Sequence, residues 1–242
     1  MKRRKFLSGV ATGGLAGWEL TKMQAFGQEP EGSVYIPSHH RVDDLKAMHD
    51  LMDEFSFASV ITAAPSLRVT HIPIVLDRAA GKYGRLTGHV SRNNPQRLAF
   101  DGKQSALIVF QGPHRYISPN WFNKEKMVPT WNFAVVHASG KPRAIEDPKF
   151  LASFLERLIA KNESYEKSPW SLSKVPEAYK AGLMTGIVAL EMDVELLEGK
   201  FKLGLDAAPA DQEKLLAGLK GAANERTLYE FTKERAGLAS HK

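Results

Sequence analysis

The stretch Leu86-Thr-Gly-His-Val-Ser-Arg92 alternates between two kinds of side chain, and this alternation is typical of a β-strand. In an extended chain the apolar positions share one face and the polar positions share the other, namely Leu86, Gly88 and Val90 against Thr87, His89 and Ser91. Arg92, Asn93 and Asn94 then follow before Pro95. The strand end therefore gathers a hydroxyl, an imidazole, a guanidinium and an amide. Such donors suit a phosphate, although an exposed polar face followed by a turn explains the pattern equally well.

Similar short segments flank this strand on both sides. They are rich in β-branched and aromatic residues and are separated by Gly, Pro, Asn and Asp. We predict strands at Phe57–Ala63, Thr70–Leu76, Arg85–Ser91, Ser105–Gln111, Asn132–Ala138 and Ile187–Leu197. The intervening segments are short and lack helical periodicity before Pro148, which favours antiparallel strands closing into a barrel over βαβ units. We therefore expect a mainly β fold with flanking helices.

Helical patterns surround the predicted barrel. Asp43–Glu54 carries apolar residues at helical spacing, and Asp43 or Asp44 is placed to cap its first turn. An insertion at about 147–184 begins with Asp147-Pro148, has the apolar stripe Phe150, Phe154, Leu155 and Leu158, and starts a second helix at Pro176. The segment at about 211–236 is amphipathic, and Gly221 is the point where it can break. It packs on the barrel or on a partner subunit.

The amino terminus resembles a twin-arginine export signal. Arg3-Arg4-Lys5 precedes a short glycine-rich apolar run, and Ala25-Phe26-Gly27 provides small residues before a cleavage point. We expect residues 1–27 to be removed, leaving residues 28–242 as one domain in the periplasm or otherwise outside the cytoplasm. A disordered basic terminus and an uncleaved anchor are the alternatives. The body has no run long and apolar enough to suggest a stable membrane span.

Composition excludes several kinds of site. The chain has no cysteine, so disulfides and thiolate chemistry are absent. Its formal charge is +6, but the first 27 residues hold five basic side chains and one acidic one, so the remainder carries only +2. A nearly balanced body makes nucleic acid an improbable partner of the mature protein. His39, His40 and His49 lack recognisable ligand spacing with carboxylates, and no metal is predicted.

A dense aromatic block lies between Gln111 and His137. It contains Tyr116, Trp121 and Trp131 among histidines and prolines. Aromatic faces beside fixed polar groups suit a flat ligand, and core anchoring explains them equally well. The block contains no identifiable acid, base or nucleophile.

Ordered motifs spread over nearly the whole body resemble the PaiB-type FMN-binding negative transcriptional regulator family. These motifs are Tyr35-Ile-Pro-Ser-His39, Gly88-His89, Asn94-Pro-Gln96, Phe110-Gln-Gly-Pro-His-x-Tyr-Ile-Ser-Pro119, Val128-Pro-Thr-Trp-Asn132, Val136-His137, Ile145-Glu-Asp147 and Leu197-Glu-Gly-Lys-x-Lys-Leu203. The resemblance implies an antiparallel split β-barrel that forms a homodimer and holds FMN near the subunit interface.

By position, the resemblance implies three groups of FMN contacts. The phosphate would lie near His89, Ser91, Arg92 and Asn94. The flavin ring would be lined by Thr70, His71 and Ile72, partly through backbone groups. Further contacts would come from Thr130, Trp131, Asn132, Lys200 and Lys202. Gly204-Leu205-Asp206-Ala207 departs from the family's Ser-Gln-Asn-Arg, which puts one polar contact there in question.

Three functions fit the sequence. The first is an exported FMN-binding protein that acts as a flavin-dependent oxidoreductase. The second is a transcriptional regulator, although no helix-turn-helix pattern is legible and the C-terminal segment mixes both charges. The third is binding of haem, with His71, His89 or His137 as the axial ligand.

Overall fold

The computed structural model describes residues 32–122, 124, 126–221 and 226–236. The predicted signal at residues 1–27 lies outside the described residues. Within them, the longest strand, β9 (Ile187–Lys202), organises the sheet. Its first half pairs with β5 (Arg85–Ser91) and its second half with β7 (Thr130–Gly140), both antiparallel. Two short strands, β1 (Arg41–Val42) and β8 (Arg143–Ile145), also pair with β9. One strand thus joins two halves of the sheet.

The strands at the two edges of the sheet, β3 (Arg68–Pro73) and β4 (Val75–Asp77), are consecutive in the chain, so the sheet must curl to bring its edges together. With β2 (Phe57–Thr62) and β6 (Ala106–Ile117), the strand order is β3-β2-β6-β7-β9-β5-β4. Only Ile74 separates β3 from β4. The expectation of one strand at Thr70–Leu76 is therefore wrong, because the chain leaves one edge of the sheet and joins the other at this buried isoleucine. The antiparallel, mainly β fold class with flanking helices is confirmed.

The core lies inside the curl, where alternate residues of every main strand point inward. Among the fully buried side chains are Val60, Ile108, Phe110, Val136, Leu190 and Met192. Helix α1 (Leu45–Glu54) adds Met48, Leu51 and Met52 to this core, and the Asp44 carboxylate caps the helix by accepting from the Lys46 amide at 2.9 Å. Each buried side chain of this size stabilises the fold by roughly 1.5–3 kcal/mol. The helix and sheet therefore form one core.

Two helices lie between β8 and β9. Helix α2 (Pro148–Glu163) begins after Asp147, whose side chain accepts from the Phe150 amide at 2.8 Å, and α3 (Glu177–Met184) follows. The buried residues of α2 are Leu151 and Phe154 rather than the whole predicted stripe. Phe150 is only partly buried, because the helix packs on the sheet through a narrower face.

The C-terminal segment forms two helices, α4 (Pro209–Gly221) and α5 (Arg226–Arg235). Helix α4 ends at Gly221, where the sequence allowed a break. The two helices bury Leu215, Leu219 and Phe231, and the Phe231 ring lies 5.4 Å from the Phe201 ring of β9. Among the described helices, none is both long and apolar enough to cross a membrane.

Candidate functional site

The outward face of β5 is only partly open, because α2 covers it. Thr87 is buried, His89 is partly buried and Ser91 is exposed. The His89 ring meets the Phe154 ring of α2 edge-on at 5.7 Å, and its Nδ1 is buried with no hydrogen-bond partner. Burial lowers the pKa of the His89 imidazole. His89 therefore lies in the wall beneath α2, whereas Ser91 lies at the open strand end.

Arg92 is fixed at that open end by three hydrogen bonds. Its Nε donates to the Thr185 carbonyl at 2.6 Å, and its Nη2 donates to the Ile187 carbonyl at 3.3 Å. Its Nη1 donates to the Glu146 carboxylate at 2.7 Å. The Arg92–Glu146 pair borders a cleft of about 530 Å³ whose wall is formed by Pro148, Leu151, Ala181, Met184 and Thr185. A cleft of this size falls within the usual range for small-molecule sites.

A hydrogen-bonded cluster joins the end of β5 to the edge strand β3. The Asn94 side chain donates to the Thr70 hydroxyl at 3.0 Å and accepts from the Gln96 amide at 2.9 Å. The buried Gln96 side chain accepts from Thr70 and donates to the Val60 carbonyl at 2.9 Å. Thr70 and Asn94, which the resemblance assigned to the ring and to the phosphate respectively, are thereby brought together, but their polar groups already bond to each other and to Gln96.

The next two residues of β3 point to opposite faces. His71 is exposed, and its Nδ1 lies 2.9 Å from the Ser59 hydroxyl on β2. Ile72 is 7% exposed and belongs to the core. Of these two residues, only His71 can present a side chain to a ligand, so a contact from Ile72 would have to use its backbone.

The remaining predicted contacts form a second group, on β7 and β9. Lys202 Nζ donates to the Thr130 hydroxyl at 2.5 Å. Lys200 Nζ donates to the Tyr35 carbonyl at 2.8 Å and lies 5.5 Å from the centre of the Phe133 ring. Asn132 is buried, and Trp131 is half exposed. Trp131 is thus the only aromatic of this group, and it lies on the outward face of the sheet.

The two groups do not form one site within a single chain. Strands β2 and β6 lie between β3 and β7. Three strand spacings correspond to roughly 14 Å along the sheet. The structure therefore brings Thr70 together with Asn94, which follows Ser91 and Arg92 at the end of β5, and it keeps these residues apart from Thr130, Trp131 and Lys202.

An irregularity in β6 shapes the surface next to Trp131. The pairing of β6 with β7 shifts between Gln111 and His114, so Gly112 and Pro113 form a bulge. Trp131 Nε1 donates to His114 Nδ1 at 3.3 Å, and the two rings stack at 5.9 Å. A shallow hollow of about 410 Å³ lies over this pair and Phe133. In this part of the predicted aromatic block, the aromatic side chains lie at the surface and do not pack in the core.

His137 belongs to a polar cluster that the sequence did not predict. The Ser33 hydroxyl donates to the buried Glu198 carboxylate at 2.8 Å and lies 2.9 Å from His137 Nδ1. A hydroxyl has one proton, and here the carboxylate receives it, so His137 must donate from Nδ1. Burial lowers the pKa of His137 despite the nearby Glu198 charge. Since 165 positions separate Ser33 from Glu198, no local pattern could have joined them.

The three candidate axial histidines do not converge. His71 and His137 lie in one cross-strand row, with Ser59 and Val109 between them, while His89 faces α2. Within the described part of the chain, no group of three His, Asp or Glu side chains has metal-binding geometry. The three histidines are therefore separate candidates for an axial ligand and could not share one iron.

The donor set at the end of β5 fits the phosphate of FMN. Ser91 offers an exposed hydroxyl, and Arg92 has a guanidinium whose carbonyl contacts fix its plane. Arg97, which sequence reasoning did not select, donates from Nε to the Arg92 carbonyl at 2.8 Å and adds a second positive charge. The sequence feature that could have identified Arg97 is the Asn94-Pro-Gln-Arg97 run, which begins three residues after β5.

Comparison with known proteins gives the same assignment. The family model described as "Putative FMN-binding domain" matches residues 34–196. The chain is 30% identical to the Bacillus subtilis protein named protease synthase and sporulation protein PAI 2, over 79% of this chain and 91% of that protein. An uncharacterised Emericella nidulans protein is 26% identical, with coverage of 86% and 100%.

One solved structure supports the fold alone. The flavocytochrome Anf3 from Azotobacter vinelandii has a TM-score of 0.53 and 14% identity, with coverage of 69% of this chain and 72% of that chain. The family match covers most of the strands described above, from before β1 into β9. On this evidence, the chain belongs to the PaiB-type family of putative FMN-binding split-barrel proteins.

Proposed function

We propose that this protein is an exported, homodimeric FMN-binding protein that acts as a flavin-dependent oxidoreductase. The observation that carries FMN binding is the convergence of the β3 edge with the cationic end of β5. The Thr70–Asn94 hydrogen bond of 3.0 Å joins these two elements, and Ser91 and Arg92 lie beside them. In this proposal the exposed imidazole of His71, the residue after Thr70 in β3, and the donors at the end of β5 contact the same ligand.

FMN, when bound, supplies hydride and single-electron chemistry, while the protein orients and isolates the ring. In this proposal Ser91, Arg92 and Arg97 bind the phosphate. The hydrogen bond between Ser59 and His71 fixes the imidazole beside the ring. The backbone of Ile72 lines the ring, and its side chain anchors the strand in the core.

The separation of the two predicted groups supports the proposed homodimer. Four large apolar side chains point outward from the sheet and are about half exposed or more. They are Phe57 on β2 (69%), Val69 on β3 (51%), Tyr116 on β6 (47%) and Trp131 on β7 (47%). Exposed apolar side chains on one face of a sheet are the kind that an interface covers. A twofold axis would place the Trp131 group of one protomer beside the β3 edge of the other, because such an interface uses the same surface twice.

Export rests on the twin-arginine pattern at residues 1–27, and the family resemblance adds nothing to it. The pathway that this pattern resembles carries folded proteins with their cofactors, which suits a flavin bound before transport. Fractionation of cells that express the full chain tests export. We expect the shortened protein in the envelope fraction, and a full-length cytoplasmic protein would contradict the proposal.

The test of FMN binding is the visible absorption spectrum of the purified protein, followed by identification of the released cofactor. We expect a flavin spectrum and FMN. Arg92→Ala should weaken FMN binding at least about tenfold, because charged hydrogen bonds to phosphate contribute about 1.5–3 kcal/mol. Arg157→Ala is the matched control, since it removes an equal charge from an exposed site on α2. Protein that lacks flavin and fails to bind added FMN would overturn the proposal.

A further inference from the structure

Arg92 and Glu146 form an ion pair at the place where the proposed function puts the FMN phosphate. The Nη1–Oε2 distance is 2.7 Å, and the side chains are 37% and 52% exposed. Glu146 precedes Asp147, the cap of α2, so its backbone is held while its side chain remains at the surface. A carboxylate thus already receives the hydrogen bond that the phosphate would need.

The other contacts of the Arg92 side chain are of a different kind. Nε and Nη2 donate to backbone carbonyls of Thr185 and Ile187, which are fixed by the loop after α3 and by the start of β9. A guanidinium has five N–H groups in one plane, so these two bonds set its orientation without using all its donors. Glu146 is the exchangeable partner, because an exposed side chain can rotate away and a strand carbonyl cannot.

A second arginine adds to the positive field around the same carboxylate. The hydrogen bond from Arg92 and the charges of Arg92 and Arg97 lower the pKa of Glu146. Arg97 is tied to the Arg92 carbonyl through its Nε, which keeps the two arginines together. Glu146 therefore occupies a position favourable for an anion.

We propose that the Glu146 carboxylate takes the place of the ligand's phosphate at Arg92, and that phosphate binding exchanges the Arg92–Glu146 ion pair for an Arg92–phosphate contact. This inference rests on the proposed function. Glu146 then determines how strongly the site distinguishes FMN from riboflavin, because only FMN carries the competing anion. No covalent step is involved, since one charged hydrogen bond replaces another.

The experiment compares Glu146→Gln with the native protein for binding of FMN and of riboflavin, each measured by quenching of flavin fluorescence. Glutamine keeps the size of the side chain but removes the competing charge. We expect FMN affinity to rise about tenfold and riboflavin affinity to change less than about twofold. High salt should reduce the gain in FMN affinity.

Glu166→Gln is the matched control, because it removes the same charge from an exposed position in the insertion that follows Glu146. Thermal unfolding of all three proteins establishes that they are equally folded. The inference is overturned if Glu146→Gln binds FMN no more tightly than Glu166→Gln, or if both flavins gain equally.

Failure of the proposed function gives a different result. If the native protein binds neither flavin, FMN binding itself is refuted. Inorganic pyrophosphate then serves as the probe of anion exchange. It should raise the melting temperature of Glu146→Gln more than that of the native protein or of Glu166→Gln, and equal rises would overturn the exchange as well.

Discussion

His89 shows how tertiary packing changes the meaning of a polar residue. Strand alternation correctly placed it on the face shared by Thr87 and Ser91. Helix α2 covers part of that face, and its Phe154 ring packs against the His89 ring. The ring is consequently partly buried, with an unpartnered Nδ1. The same strand therefore contains a packed imidazole and, two residues later, an exposed hydroxyl.

The lowered pKa of His89 predicts a pH dependence of stability. Above pH 6.5, the ordinary value, the ring is neutral in both the folded and the unfolded chain. As the pH falls below 6.5, the unfolded chain takes up the proton more readily, so stability is lost. His89→Phe keeps the ring packing and removes this loss. The free energy of unfolding of the variant minus that of the native protein, both measured by urea denaturation, should be larger at pH 5 than at pH 7.5. A difference that does not change with pH would contradict the prediction.

At the scale of elements, the space around a helical glycine cannot be predicted from the periodicity of the helix. A Cβ built on Gly218 of α4 would lie 2.3 Å from Trp121 Cδ2, so the indole packs directly on the helix backbone. A Cβ built on Gly182 of α3 would meet nothing within 4 Å. The two glycines have the same helix propensity but different surroundings.

This contrast predicts opposite effects of the same substitution. Gly182→Ala should stabilise the protein by about 0.5–1 kcal/mol, because alanine is the better helix former. Gly218→Ala should destabilise it by about 1–3 kcal/mol, because the methyl group displaces Trp121. Urea denaturation of both variants measures the free energies of unfolding. Equal stabilisation by both substitutions would show that α4 does not pack against Trp121.

At the scale of the whole molecule, the proposed dimer brings together the two groups of predicted FMN contacts that lie apart within one chain. Phe57 is 69% exposed on the outward face of β2, so a charge there should leave the isolated fold intact. The same charge would be buried in the proposed interface, where an unpaired charge is costly.

Phe57→Glu should therefore convert a dimer into a monomer, as measured by size-exclusion chromatography with light scattering. FMN affinity should fall in parallel, because the partner completes the site. Tyr165→Glu is the control, since Tyr165 is 87% exposed and lies beyond the C-terminus of α2. A monomeric native protein, or a Phe57→Glu variant that remains dimeric, would rule out this interface.

The sequence by itself determined the class of most elements and the cap of α2. It predicted β5 with its observed bounds, the cap Asp147, and a cap of α1 at Asp43 or Asp44, because alternation and capping are local properties. It also identified the family, because long ordered motifs are specific. It could not predict the break at Ile74 or the short strands β1 and β8, since these depend on where a distant edge lies.

Only the tertiary structure decided which polar residues are open to a ligand. Ser91 and Asn94 looked equivalent in the sequence, yet Ser91 is exposed and Asn94 bonds to Thr70 and Gln96. Glu146 appeared as part of a motif, and its contact with Arg92 spans 54 positions. The physical reason is that local patterns fix the face on which a side chain lies, whereas burial and charge pairing depend on what the folded chain brings against that face.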